Sequence, residues 1–345
     1  MTAPDRRALL AVAAIGAVVL LVATVVAVLV TREGAGGSEA VLPVAAAIGA
    51  GQRTRLLIPE EGTLLGSWTA PNRKGVEHEV WLDLWEEREE LVGRPFDIGH
   101  DFHTFDEPFP TILERDHIDA GRVPMISWNG TSAAAILDGE HDDLIRQRAA
   151  AMEQLGVPVL LRFWWEMDTE QKQAWAKDPD DFVAAWRHVH RLFDEEGASN
   201  VAWVWCPTSL AFSKDVADRW WPGDGWVDWV CADGYNFAPA KENDPWRPFA
   251  DIFDPFYEWA EPLGKPIMIG EFGVLERRQG EKAAWLRQAA DDLRDRFPEI
   301  RAVVYFDTRR TVEGTVRDWR IDTSPSSVDA FSELAESLGE RVRRR

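Results

Sequence analysis

The sequence predicts an α/β fold, a closed (β/α)8 barrel over residues 62–345, preceded by an N-terminal transmembrane helix. Three observations carry this. From Gly62 onward, eight short apolar runs recur, each followed by an amphipathic stretch. The runs are apolar throughout rather than alternating, as in parallel strands covered by helices. Eight such units over about 280 residues suit a closed barrel. A doubly wound open sheet would carry a Gly-rich phosphate turn after its first strand, and Gly66-Ser67-Trp68 is not one.

Taken in order, residues 1–7 are an expected cytoplasmic N-terminus. Ala8 to Thr31 contains no charged residue, with Arg6 and Arg7 before it and Arg32 after. Such a run spans a hydrocarbon core of ~30 Å and exceeds the ~7–15 apolar residues of a secretory signal. An uncleaved anchor is expected, with cleavage near Ala27 giving a secreted form as the alternative. The flanking arginines place the N-terminus in the cytoplasm and all that follows outside it. Residues 32–61, with EGAGGSEAVLPVAAAIGAG, read as a flexible linker.

The expected strands are Leu64–Trp68, Phe96–Gly99, Val123–Trp128, Val157–Phe163, Val201–Cys206, Trp229–Ala232, Pro266–Gly270 and Val303–Phe306. Between them, Asp181–Asp194 sets Phe182, Trp186, Val189 and Phe193 on one helical face. Glu281–Phe297 and Val328–Leu338 follow the same pattern.

Composition narrows the partners. Lys plus Arg total 38 against 59 Asp plus Glu, a formal net charge of −21. A surface so acidic repels phosphate backbones and argues against nucleic acid. The chain also carries 18 Trp, whose flat apolar faces suit the C–H-rich faces of pyranose rings. Core filling is expected to take about half of them. Cys206 and Cys231 lack metal-ligand spacing, leaving a disulfide or two small buried hydrophobes. No cofactor or metal is expected, and nothing points to an oligomer, so a monomer is.

In such a barrel the active site gathers at the C-terminal strand ends. Two glutamates stand there, Glu166 in RFWWEMD and Glu271 in MIGEFG. Facing carboxylates are what glycosidic bond cleavage needs, one protonated to donate to the leaving oxygen and one ionised to attack the anomeric carbon. Indole beside Glu166 and the charge of Glu271 would favour the acid form of Glu166. Tyr235 and Arg162 would keep Glu271 ionised. Trp128, Trp164 and Trp165 are candidate stacking residues, with His103 and Asn236 as hydroxyl partners.

The segments RFWWEMD, AWRHVHRLF, VAWVWCPTS, WWPGDGWVDWVCADGYN and PIMIGEFG, in this order, resemble glycoside hydrolase family 26, β-mannanase-like members of the large clan of retaining barrel enzymes. The resemblance runs from about Gly62 to Leu338. It implies acid/base catalysis by Glu166 with Arg162 upstream and Met167 after it, a nucleophile at Glu271, and a supporting tyrosine at Tyr235. It departs at Trp165, where the family carries histidine, and at Asp168, where asparagine is usual. The function expected is therefore a membrane-tethered retaining endo-β-glycosidase acting on mannan, β-glucan or a cell-surface polysaccharide. The alternatives are a non-catalytic glycan-binding barrel, which Trp165 favours, and a metal-dependent polysaccharide deacetylase or hydrolase using His100, His103 and either Asp101 or Asp106 of HDFHTFD.

Overall fold

The computed structural model describes residues 57–59, 61–71, 75–239, 245–312 and 314–340. All of them fall within one compact unit, Pro43–Arg345. The expected anchor, residues 8–31, and most of the linker lie outside the described residues. Among the described residues no helix is long and apolar enough to cross a membrane.

Eight parallel strands close into a barrel in sequence order, with β1 pairing β8. They are β1 (Leu64–Thr69), β2 (Ile98–His103), β3 (Val123–Trp128), β4 (Val159–Phe163), β5 (Val201–Trp205), β6 (Trp229–Asn236), β7 (Ile267–Val274) and β8 (Ile300–Asp307). Every expected strand is present. The main differences are at the ends. β2, β6 and β7 each run four residues beyond their expected ends, because the parallel ladder continues past the apolar runs into mixed polar and apolar residues. A hairpin of β9 (Arg309–Val312) and β10 (Thr315–Asp318) follows β8. Its polar sequence gave no apolar signal to read.

Alternation along each strand builds two cores. On β4, Leu160 points into the barrel with Ile98, Met125, Ala202, Val204, Met268, Ala302 and Val304. Val159, Leu161 and Phe163 point outward against the helices. The helix Pro179–Glu195 starts at Asp178, whose carboxylate accepts from the Asp180 N–H at 3.0 Å, with Pro179 in its first turn. Its predicted face is buried: Phe182, Trp186, Val189 and Phe193 are each at most 1% exposed. Burying such a side chain contributes about 1.5–3 kcal/mol. Trp128, Trp164, Trp186, Trp205 and Trp229 are all fully buried, so core filling takes a large share of the tryptophans.

One irregularity positions the chemistry. The β6–β7 register shifts so that Ala232 pairs with Ile269 and Asp233 with Glu271, leaving Gly270 as an unpaired bulge residue. A bulge re-aims the side chains that follow it. Gly270 is required there, because a Cβ would meet the Asp233 Oδ1 at 2.8 Å and the Cys206 sulfur at 2.9 Å. Cys206 and Cys231 are joined as a disulfide between the end of β5 and β6, fully buried in the barrel.

Candidate active site

Arg162 is the centre of the site. It projects inward from β4 and is fully buried. Its Nη1 donates to both carboxylate oxygens of Asp233 at 2.7 Å, its Nε donates to the Ser127 hydroxyl at 2.7 Å, and its Nη2 donates to Glu271. Burial alone would lower its pKa, but the charges of Asp233 and Glu271 outweigh that and raise it. His100 sits beside it, 2.6 Å from the Ser127 hydroxyl. Burial and the Arg162 charge keep this imidazole neutral, far below its ordinary pKa.

Glu271 follows the β7 bulge and is only 5% exposed. One oxygen accepts from Arg162 and the other from the Tyr235 hydroxyl. Burial, with the Glu271 charge second, pushes the Tyr235 phenol well above its usual pKa, so it remains a donor. Two donors hold the Glu271 carboxylate in one orientation.

Glu166 lies in the turn after β4. Its backbone N–H donates to the Cys206 carbonyl at 2.7 Å, and that of Trp164 donates to the Trp128 carbonyl at 2.8 Å. Trp164 and Glu166 have φ values of 48° and 53°, a left-handed conformation costing non-glycine residues roughly 1–3 kcal/mol each. Loss of water around the Glu166 carboxyl, then the charge of Glu271, raises its pKa to about 7, against the opposing pull of Arg162 and Lys172. Asp168 anchors the turn, accepting from the Thr208 N–H at 2.8 Å and its hydroxyl at 2.5 Å.

Glu166, Glu271, Arg162 and Tyr235 therefore converge. Of the five expected sugar contacts, only Trp165 faces the same interior, 9% exposed, with Lys172 Nζ 3.8 Å and the Arg162 guanidinium 5.3 Å from its ring centre. The other four need correction. Trp128 faces outward, fully buried and stacked on Phe105 at 5.0 Å, because Ser127 takes the inward position on β3. Trp164 is fully buried between Trp175 and Phe182, with Gly130 leaving no space for a Cβ beside its ring. His103 also faces outward, pairing with Glu114 at 2.6 Å. Asn236 is fully buried, donating to the Arg247 carbonyl at 2.8 Å and accepting from the Ala238 N–H at 3.3 Å. All four are buried, at most 7% exposed, and none offers an open ring face to a sugar.

The HDFHTFD residues do not gather on one ligand point either. His100 faces Ser127 inside the barrel, whereas Asp101 meets His117 at 3.1 Å and His103 meets Glu114 outside it. Sequence reasoning missed Lys172, which donates to Asn129 and lies over the Trp165 ring, and the inward, half-buried Phe102. Lys172 sits in the short polar helix Glu170–Gln173, whose composition signals only a surface. Phe102 was legible as an alternate of His100 on β2.

The His103–Glu114 pair yields a prediction about stability. Burial raises the Glu114 pKa, but the hydrogen bond and charge of His103 overcome this and hold it at about 2. Burial lowers the His103 pKa, and Glu114 raises it above the ordinary value by more. The glutamate's contribution is present above its unfolded pKa of 4.5 and is lost as pH falls towards 2. That of the histidine is present below 6.5 and is lost as pH rises through its raised folded pKa. Both are full between these limits. His103→Ala should lower stability near pH 6 by about 3 kcal/mol, through the unpaired buried carboxylate. Denaturant melts would record this with KM unchanged.

A parallel barrel with two inward carboxylates at the C-terminal ends of β4 and β7 defines the class of barrel glycoside hydrolases. The family model for glycosyl hydrolase family 26 matches residues 128–303, and the chain belongs to that family. It is 28% identical over 291 residues to "Endoglucanase H" of Acetivibrio thermocellus, covering 79% of this chain and 30% of that protein. It is 30% identical over 153 residues to "Beta-1,3-xylanase TXYA" of a Vibrio species, covering 42% of this chain and 30% of that one. The chain thus spans about 30% of the length of these curated relatives. A β-mannanase from a symbiotic protist of the termite Reticulitermes speratus, solved with a gluco-manno-oligosaccharide, superposes with a TM-score of 0.55 at 14% identity, covering 87% of this chain and 97% of that one. At that identity the likeness is one of fold.

Proposed function

We propose that this glycoside hydrolase is a retaining endo-β-glycosidase that cuts a β-linked polysaccharide by double displacement. Glu271 attacks the anomeric carbon while Glu166 protonates the departing sugar oxygen. Glu166 then takes a proton from water, which releases the sugar from Glu271. The observation that carries this reading is the unequal treatment of the two carboxyls. Two donors fix the orientation of Glu271, while lost hydration and a nearby negative charge bring Glu166 to about 7. A carboxyl whose pKa is raised towards neutrality suits the acid role, and the oriented partner suits that of nucleophile.

A panel of mannan, mixed-linkage β-glucan, β-1,3-xylan and bacterial exopolysaccharides, assayed for new reducing ends, tests the proposal. Internal cleavage of at least one supports it. Binding without cleavage would favour the glycan receptor instead.

The acid role also predicts a pH profile. The kcat/KM should fall as pH rises through about 7, because free-enzyme Glu166 must carry its proton. Lys172 lowers the Glu166 pKa, so Lys172→Met should move that alkaline midpoint upward. An unmoved midpoint would remove Lys172 from the account.

In the same proposal residues 8–31 anchor the chain, with residues 62–345 forming the hydrolase domain outside the cytoplasm. The disulfide between Cys206 and Cys231 supports an oxidising compartment. Protease shaving of intact cells should release the domain.

A further inference from the structure

The hairpin after β8 carries two arginines whose placement the catalytic pair does not explain. In its antiparallel register Arg310 stands directly opposite Arg317, and Arg309 opposite Asp318. Alternation puts these pairs on opposite faces. The Arg309–Asp318 face is balanced, with Nε 3.7 Å from the carboxylate and Arg320 also holding Asp318 at 2.8 Å. The Arg310–Arg317 face sets like charges against each other, which disfavours pairing. Among the described residues neither makes an ion pair, although the chain has 59 acidic side chains to 38 basic ones.

What lies under these guanidinium groups is aromatic. Arg310 sits 4.4 Å above the Trp68 ring and 5.0 Å from Phe306. Arg317 lies 5.4 Å from the ring of Phe237, and its Nε is buried without a hydrogen-bond partner. Phe237 is 38% exposed. The same rings reach the catalytic site through Tyr235, which donates to Glu271 and packs on Phe306 at 5.6 Å and on Phe237 at 5.2 Å. Burial on the rings lowers the Arg310 pKa and the Glu271 charge counters it, so the two groups feel each other across the barrel mouth.

We propose that Arg310 and Arg317 form an anion-binding subsite beside the catalytic cleft, so that the glycan cut by Glu166 and Glu271 carries acidic groups, either carboxylates or sulfate esters. This deepens the glycosidase reading and rests on it. Arginine forks match both anions with paired N–H donors, and the exposed Phe237 ring offers an apolar face to the sugar that bears the charge.

The test is calorimetric binding to the Glu166→Gln chain. Three acidic hexasaccharides are used, β-1,4-mannuronate, β-1,4-glucuronate and sulfated cellohexaose, with mannohexaose and cellohexaose as their neutral counterparts. Linkage and backbone preferences cancel within each acidic–neutral pair. At least one acidic member should bind tenfold or more tightly than its counterpart, and added salt should shrink that advantage. Which pair responds separates carboxylate from sulfate. The advantage should fall to within twofold in R310Q/R317Q and partly in each single variant. A purely structural cation–π clamp would lower the melting temperature without changing the acidic-to-neutral ratio, and that ratio does not depend on the folded fraction. Acidic members that bind no better than neutral ones, including no binding of either, overturn the proposal, as does an advantage that survives in the double variant. Failure of the glycosidase reading looks different: an acidic preference that depends on the arginines, with no reducing ends released by the unsubstituted chain.

Discussion

Glu271→Ala should cut turnover of any accepted polysaccharide by about 10⁴-fold or more, since removing a covalent nucleophile removes the route itself. That is ~5 kcal/mol or more of transition-state stabilisation. The fold should survive, because Arg162 keeps both its contacts to Asp233 and its bond to Ser127. Near-normal circular dichroism with activity gone would show that chemistry and not structure was lost. The vacated space also makes a positive prediction. Azide filling the gap left by the carboxylate should attack an activated β-glycoside from the Glu271 face and release an α-glycosyl azide. Substantial turnover in the variant would place the nucleophile elsewhere.

Glu166→Ala should show a different pattern. A general acid contributes about 10²–10⁴-fold, and only where the leaving group needs a proton. Polysaccharide cleavage should fall by that range. A dinitrophenyl β-glycoside, whose leaving group departs as a stable anion, should form the covalent intermediate at close to the normal rate and then stall. Azide should rescue the second step and give a β-glycosyl azide, the stereochemical opposite of the Glu271 case. Equal losses on both substrates would leave Glu166 without its acid role.

The barrel was legible because its strands are continuous apolar runs, and the two glutamates because each ends such a run abruptly. Strand ends alone were too coarse for the rest. Period 2 sends half of the residues at each end outward, so Trp128 and His103 pack under helices while Ser127 and Phe102 face the barrel. That alternation is visible in the sequence. Trp164 was not placeable in this way, because left-handed backbone at Trp164 and Glu166 resets the alternation, and neither residue type announces it. The bulge at Gly270 was equally silent, since a glycine before a glutamate says nothing of register until β6 is beside it. Lys172 and the arginine hairpin escaped for another reason: polar segments of the chain carry no periodic signal, and their meaning comes from the rings they cover, Trp165 in one case and Trp68, Phe306 and Phe237 in the other.

The most direct measurement is to trap the intermediate. The enzyme is incubated with 2-deoxy-2-fluoro-β-glycosyl fluorides of gluco and manno configuration, then digested and sequenced by mass spectrometry. The account predicts one stable sugar ester per chain, on Glu271, with wild-type activity lost in proportion to labelling. Inactivation with the ester on Glu166 or on any other carboxylate would contradict it.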